Sequence, residues 1–169
     1  MTQFRASRTA MTLAAMVLLS TASVLAPATA ASVPKFKEYP AALYTGKRAP
    51  LRLVGDDRTF RTRLSEAYAS EINFGGRYIL TAWGCGTECL MGAAIDTTNG
   101  CVVWIPFSLC CFGDTLDDDF EPLIGNVDSR LAVFTGVRDE RGALETWFYE
   151  RRGGRWVLRG HVQRTELPA

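Results

Sequence analysis

The residues with the clearest chemical potential in this sequence are five cysteines: Cys85, Cys89, Cys101, Cys110 and Cys111. Cysteine thiolates can form disulfides, hold a metal ion or carry out redox exchange. Redox pairs usually have the spacing Cys-x-x-Cys at the start of a helix, whereas Cys85 and Cys89 have three residues between them in a glycine-rich turn. Zinc sites use two separated ligand pairs, and adjacent Cys110 and Cys111 would chelate one ion poorly. The spacing favours structural disulfides, with no metal and no cofactor.

Acidic residues and the single histidine give a weaker indication of chemistry. The segment 107–122 contains a cluster of carboxylates, which are Asp114, Asp117, Asp118, Asp119 and Glu121. Their spacing lacks the glycine and the alternating ligands of a calcium-binding loop, so we expect a solvated loop. His161 lies near the end of an apolar run and has no placed partners, which indicates a surface histidine. Phosphate-binding glycine loops, dinucleotide fingerprints and haem motifs are missing from the sequence.

Residues 1–30 have the pattern of a cleaved signal peptide. Arg5 and Arg8 precede a mostly apolar run over 11–25, and Ala28-Thr29-Ala30 supplies the small residues that signal peptidase requires. The apolar run is shorter than the roughly 20 residues that span a bilayer. We therefore expect cleavage after Ala30 and a product that is periplasmic or secreted. In such a compartment thiols are oxidised to disulfides.

The charge of the remaining chain excludes some classes of partner. Two of the nineteen basic residues and none of the eighteen acidic ones lie in 1–30, so residues 31–169 carry a net charge of −1. Both signs are interspersed along the sequence. This balance gives no electrostatic reason to expect nucleic acid or an anionic membrane as the partner.

The chain that follows the predicted signal peptide begins with a lead-in and a helix. Residues 31–50 contain three prolines and no sustained period, which indicates an extended lead-in, and a short strand is predicted over 51–54. Apolar residues then repeat at helical spacing and predict one amphipathic helix over 59–72. Its apolar positions are Phe60, Leu64, Ala67, Tyr68 and Ile72.

The next stretch predicts three consecutive strands, over 77–83, 90–95 and 101–105. The turn 96–100 ends in Asn-Gly and fixes a register that pairs Ala93 with Trp104 and places Cys89 level with about Ser108. The same register pairs Ile95 with Val102, Ala94 with Val103 and Gly92 with Ile105. Four cysteines then gather at one end of the meander. We favour disulfides that link the Cys85/Cys89 turn to Cys110 and Cys111, with Cys101 as the free thiol.

The last part of the chain predicts a strand over 130–137 and a hairpin formed by 144–150 and 155–162. Both faces of this hairpin carry aromatic residues, so it either lies between two layers or exposes an aromatic surface, and the sequence leaves both open. The fold class that follows is α+β. Residues 51–169 are predicted to form one domain, an antiparallel β-meander of six to seven strands, tied by disulfides, with one N-terminal amphipathic helix packed on it.

Several motifs together resemble a group of small exported proteins of Gram-negative bacteria that have no established activity. The motifs are Asn73-Phe-Gly-Gly-Arg-Tyr78, Trp83-Gly-Cys-Gly-Thr-Glu-Cys89, the strand that ends in Asp96, and the Pro106 to Cys110-Cys111 segment. The resemblance implies a bacterial periplasmic protein and brings no catalytic residues. Cys101 is not part of the pattern.

Two functions are consistent with these features. The first is a binding module of the bacterial envelope, possessing disulfide-tied loops that present a surface to a protein partner in the envelope or outside the cell. The candidate binding residues in those loops are Trp83, Thr87, Glu88, Phe107, Phe112 and Asp114. The alternative is a hydrolase that uses Glu88, Asp96 and Asp114 on a cell-wall or sugar substrate. We favour the binding module because no recognisable catalytic constellation is present.

Overall fold

Eight antiparallel β-strands and one short α-helix make up the regular structure of the described residues. The computed structural model describes residues 32–112 and 120–163, so the predicted signal peptide, its cleavage site and Asp114 lie outside them. The helix α1 is Arg61–Tyr68, and 3-10 turns cover Phe36–Glu38 and Gly55–Phe60. The strands are β1 (Tyr78–Gly86), β2 (Cys89–Asp96), β3 (Val102–Trp104), β4 (Leu109–Cys110), β5 (Leu123–Asn126), β6 (Ser129–Arg138), β7 (Arg141–Arg152) and β8 (Arg155–Gln163).

The strands form one sheet with the order β1-β2-β4-β6-β7-β8. Strand β2 pairs with β1 on one side and with both β3 and β4 on the other. Strand β4 also pairs with β6, which in turn pairs with β5 and β7. The two residues of β4 therefore join a first half, β1 to β3, to a second half, β5 to β8.

The register predicted for the turn 96–100 is confirmed. Ala93 pairs with Trp104, Ala94 with Val103 and Ile95 with Val102, and the Ile105 amide donates to the Gly92 carbonyl at 2.9 Å. Farther along, the prediction that Cys89 is level with Ser108 is wrong by two residues. Leu90 pairs with Leu109 because the segment 106–108 interrupts the ladder before β4 begins.

The sheet has an apolar core on each face of its first half. One core lies between the two halves and includes Phe74, Leu80, Ala94, Phe107 and Phe134. The other packs Leu64 of α1 against Trp83, Ala93 and Ile95 of the sheet. Strand β2 is consequently buried on both sides, which explains the small residues in its middle.

Some elements differ from the prediction. The helix covers Arg61–Tyr68 rather than 59–72, because a 3-10 turn precedes it and the amides of Ala69 and Ser70 donate three residues back, which closes its last turn. Within the described residues the sheet has eight strands rather than six or seven, since β4 forms inside the expected loop 107–122 and β5 forms where no strand was predicted. The predicted strand over 51–54 contributes a single bridge, from Arg52 to Cys101.

The lead-in is bound along the sheet through residues 40–52, which we call the N-terminal strap. Its backbone bonds include the Tyr44 amide to the Gly76 carbonyl at 2.7 Å and the Arg52 amide to the Gly100 carbonyl at 2.9 Å. Gly76 has a φ of +73°, and a Cβ there would lie 2.0 Å from the Ala42 carbonyl oxygen. Only glycine permits this contact. The strap is thus fixed against the residues that precede β1.

Candidate anion-binding site

A pocket of about 330 Å³ lies between the N-terminal strap and the turn of the β7–β8 hairpin. Four of its lining residues are arginines, and none of the described lining residues is acidic. The remaining positions are small, apart from one tyrosine. The described lining consists of Pro40, Ala41, Ala42, Gly75, Arg77, Tyr78, Arg130, Arg151, Arg152 and Gly153. A cavity with this composition is suited to a negatively charged group.

Arg77 is positioned by the turn that leads into β1. The glycines before it have φ values of +57° and +73°, which direct the chain around the base of the pocket. Its Nη2 donates to the Tyr78 hydroxyl at 2.8 Å and lies 3.2 Å from Asp96 Oδ2. The guanidinium also lies over the Tyr78 ring, 5.0 Å from the centroid. The Nη2 of Arg77 therefore makes its described polar contacts, whereas its Nε and Nη1 donate to no described residue.

Arg130 belongs to an ion-pair network centred on the buried carboxylate of Glu150. Its Nε donates to Glu150 Oε1 at 3.1 Å, its Nη2 lies 3.1 Å from the same oxygen, and its Nη1 donates to the Pro40 carbonyl. Arg159 donates to the other oxygen of Glu150, from Nε at 2.9 Å. Burial raises the pKa of Glu150, but its hydrogen bonds to Arg159 and Arg130 outweigh burial and hold that pKa below its ordinary value. This network holds Arg130 in place with all its nitrogens engaged.

Arg151 is the most unusual residue of the pocket. Only 3% of its surface is exposed, and its guanidinium lies between the rings of Tyr78 and Trp156, 5.1 Å from each centroid. Its Nε and Nη1 are buried and donate to no described residue. Arginine stays charged in proteins, so this position holds a positive charge that pairs with no carboxylate of the described residues.

Arg152 completes the positive lining at the hairpin turn. It is exposed and has no carboxylate within 4.0 Å among the described residues, and the same is true of Arg151. Two of the pocket arginines are paired, Arg77 with Asp96 and Arg130 with Glu150, which also pairs with Arg159. Among the described residues, Arg151 and Arg152 therefore give the pocket an excess of positive charge.

The cysteines do not form the bonds that the sequence favoured. Cys85 is bonded to Cys89, with their Cα atoms 5.0 Å apart, while Cys101, Cys110 and Cys111 are free. The structure therefore differs from the expected bridges to Cys110 and Cys111, and Cys101 is one of three free cysteines rather than the odd one out. A register shift between Gly84 and Gly86 places the turn cysteines within bonding reach of each other.

Cys110, by contrast, is buried in β4 opposite Val137. Burial, and then a hydrogen bond with Cys111, raises the pKa of the Cys110 thiol to about 11. This thiol is protonated at neutral pH and is a poor nucleophile.

The predicted binding residues are not presented together on the surface. Trp83 and Phe107 are buried, because Trp83 packs beneath α1 and Phe107 packs on Phe134 between the two halves of the sheet. Phe112 is half-buried beside the same core. Thr87 and Glu88 are exposed at the tip of the β1–β2 hairpin, and Asp114 lies outside the described residues. The aromatic part of the expected binding surface is thus core.

Two of the three carboxylates of the alternative hydrolase, Glu88 and Asp96, do not converge, and Asp114 lies outside the described residues. Glu88 precedes the first residue of β2, whereas Asp96 is its last residue, so the length of the strand separates them. Asp96 is buried and accepts hydrogen bonds from the Thr98 amide and hydroxyl while it pairs with Arg77. Its role is to hold the turn and Arg77.

Sequence reasoning missed the four pocket arginines. They lie in three separate parts of the chain, and only the folded sheet brings them together. One signal was present: Arg151 continues the face of β7 that carries Trp147 and Tyr149, and an arginine on an aromatic face of a hairpin indicates a buried guanidinium.

Comparisons with protein-family models, curated proteins and solved structures gave no significant match to this chain. Within the parts of the chain that the structure describes, no helix is long and apolar enough to cross a bilayer. The same residues include no group of three or more side chains that could hold a metal ion. The arginine pocket is therefore the candidate functional site of this protein.

Proposed function

We propose that this protein is an exported binding module of the bacterial envelope that binds an anionic group in the arginine pocket. The observation that supports this most directly is the buried guanidinium of Arg151, whose Nε and Nη1 have no described acceptor. The other pocket arginines surround the same cavity, and no described lining residue is acidic.

The buried charge of Arg151 has an energetic cost. Removing a charged group from water costs several kcal/mol even after the protein has relaxed around it. Stacking on two aromatic rings returns about 0.5–2 kcal/mol for each ring. A lost hydrogen-bond partner adds about 1–3 kcal/mol for each buried donor. Arg151 therefore destabilises the empty pocket, and an anion bound beside this charge offsets part of that cost.

The test is a calorimetric titration with sulfate, a permanent dianion, at low ionic strength. We expect saturable binding to the wild type, at least tenfold weaker binding to Arg151→Met, and binding within twofold of wild type for Arg61→Met. Arg61 is an exposed arginine of α1 that does not line the pocket, so Arg61→Met controls for the loss of one charge.

The stability of the anion-free variant separates a binding role from a structural one. If Arg151 is retained for binding, Arg151→Met replaces a buried charge by an apolar side chain of similar length and unfolds at the same temperature as wild type or higher. Equal sulfate binding by Arg151→Met, or the lack of saturable binding to the wild type, would overturn the proposal.

A further inference from the structure

We infer that the anionic group is a phosphoryl dianion, carried by a phosphate monoester with a small organic substituent. This inference rests on the proposed function and specifies its ligand. The charge of the pocket favours a dianion. Two of the four pocket arginines, Arg151 and Arg152, have no carboxylate partner among the described residues. A dianion balances two charges, whereas the carboxylate of a peptide or a sugar acid balances one.

The number of free N–H donors in the pocket favours a phosphoryl group over a carboxylate. Arg130 has all its nitrogens engaged by Glu150 and Pro40, so it contributes charge but few N–H groups. Arg77 has used only Nη2, and the exposed Arg152 donates to no described residue, so both retain donors at the cavity. The Nε and Nη1 of Arg151 are closed to solvent, so Arg151 contributes its charge and not these donors. A carboxylate is satisfied by a single guanidinium fork, but a phosphoryl group has three terminal oxygens that can accept from two guanidinium groups at once.

The size of the cavity favours a small ligand. The cavity of about 330 Å³ is near the lower end of the range for small-molecule sites, which begins at roughly 300 Å³. Its wall on the strap side is formed by Pro40, Ala41 and Ala42, and a side-chain atom at Gly76 would collide with the strap. A phosphoryl group with a small substituent fits these limits.

The test uses the titration of the ligand itself. A phosphate monoester loses its second proton with a pKa of about 6, so its dianion fraction rises about tenfold between pH 5 and 7.5. The groups that face the pocket are Arg77, Tyr78, Arg130, Arg151 and Arg152, with Asp96 and Glu150 behind them. The chain's only histidine, the side chain that ordinarily titrates in this range, is His161, which stacks on Trp147 and does not line the pocket.

We therefore expect the affinity for glycerol 3-phosphate to rise about tenfold from pH 5 to 7.5, while the affinity for sulfate changes less than twofold. Arg152→Met should weaken both ligands at least fivefold. Vesicles that contain phosphatidate, with phosphatidylcholine vesicles as the control, distinguish a lipid-borne phosphoryl group from a soluble one.

The outcomes separate the two proposals. Arg151-dependent sulfate binding with a flat pH profile for glycerol 3-phosphate, or acetate binding as tight as that of glycerol 3-phosphate, overturns the phosphoryl inference and leaves the anion site standing. Loss of all Arg151-dependent binding overturns both. A tenfold rise for glycerol 3-phosphate, together with a flat sulfate profile, supports the inference.

Discussion

Substitution of Gly76 by alanine tests whether the N-terminal strap is fixed to the pocket. The added Cβ would lie 2.0 Å from the Ala42 carbonyl oxygen and 2.7 Å from its carbon, where ordinary contact begins near 3.4 Å. The strap must therefore move by more than 1 Å. Such a shift disturbs the bond from the Tyr44 amide to the Gly76 carbonyl and the neighbouring bond from the Ala41 amide to Asp128.

The expected loss of unfolding free energy in Gly76→Ala has two contributions. A positive φ costs a non-glycine residue about 1–2 kcal/mol. Two weakened backbone hydrogen bonds add about 1–3 kcal/mol. The free energy of unfolding of Gly76→Ala should therefore fall by about 2–5 kcal/mol, measured by equilibrium urea denaturation with tryptophan fluorescence. Its sulfate affinity should also fall, because Ala41 and Ala42 line the pocket.

Gly153 offers a matched control. It has a φ of +55° in the β7–β8 turn, and a Cβ there would meet no atom within 4 Å. Gly153→Ala measures the cost of the backbone conformation without the collision, and we expect about 1–2 kcal/mol. Equal losses for the two variants would show that the strap does not press on Gly76 and would refute this account of its packing.

Two further predictions concern ionisation and thiols. Because arginine contacts outweigh burial and lower the pKa of Glu150 in the folded state, the stability it contributes is present above pH 4.5 and is lost as the pH falls through the folded pKa. The gap in unfolding free energy between wild type and Glu150→Gln should be about 1.5–3 kcal/mol near pH 7 and should narrow below pH 4.5, whereas a gap independent of pH would contradict this. In alkylation of the unreduced protein at pH 8, Cys111 should react first and Cys110 last, because burial raises the pKa of Cys110 to about 11. A disulfide-linked peptide that joins Cys85 or Cys89 to Cys110 or Cys111 would disprove the connectivity.

The parts of the fold that local chemistry determines could be predicted from the sequence. The Asn-Gly turn at 99–100 fixed the pairing of β2 with β3, since Gly100 adopts a positive φ of +73° and sets the register of the strands beside it. The long strands were also located, because alternating β-branched and aromatic residues extend over many positions. Each of these features depends on neighbours in the chain.

The remaining features depend on tertiary context. Strand β4 has two residues, too few for any period, yet it joins the halves of the sheet. The Cys85–Cys89 bond depends on a register shift beside Gly86 that no residue pattern announces. The pocket combines Arg77, Arg130 and Arg151 from three segments of the chain. The burial of the Arg151 guanidinium depends on the positions of Tyr78 and Trp156, which only the folded structure gives.

The strap has a consequence for how this protein can be shortened or fused. Its residues 40–42 supply one wall of the arginine pocket, although the sequence places them before the first regular strand. A recombinant chain that starts at residue 51 would keep every β-strand but would open the cavity to solvent on one side. Such a shortened protein could look well folded by circular dichroism and still fail to retain its ligand.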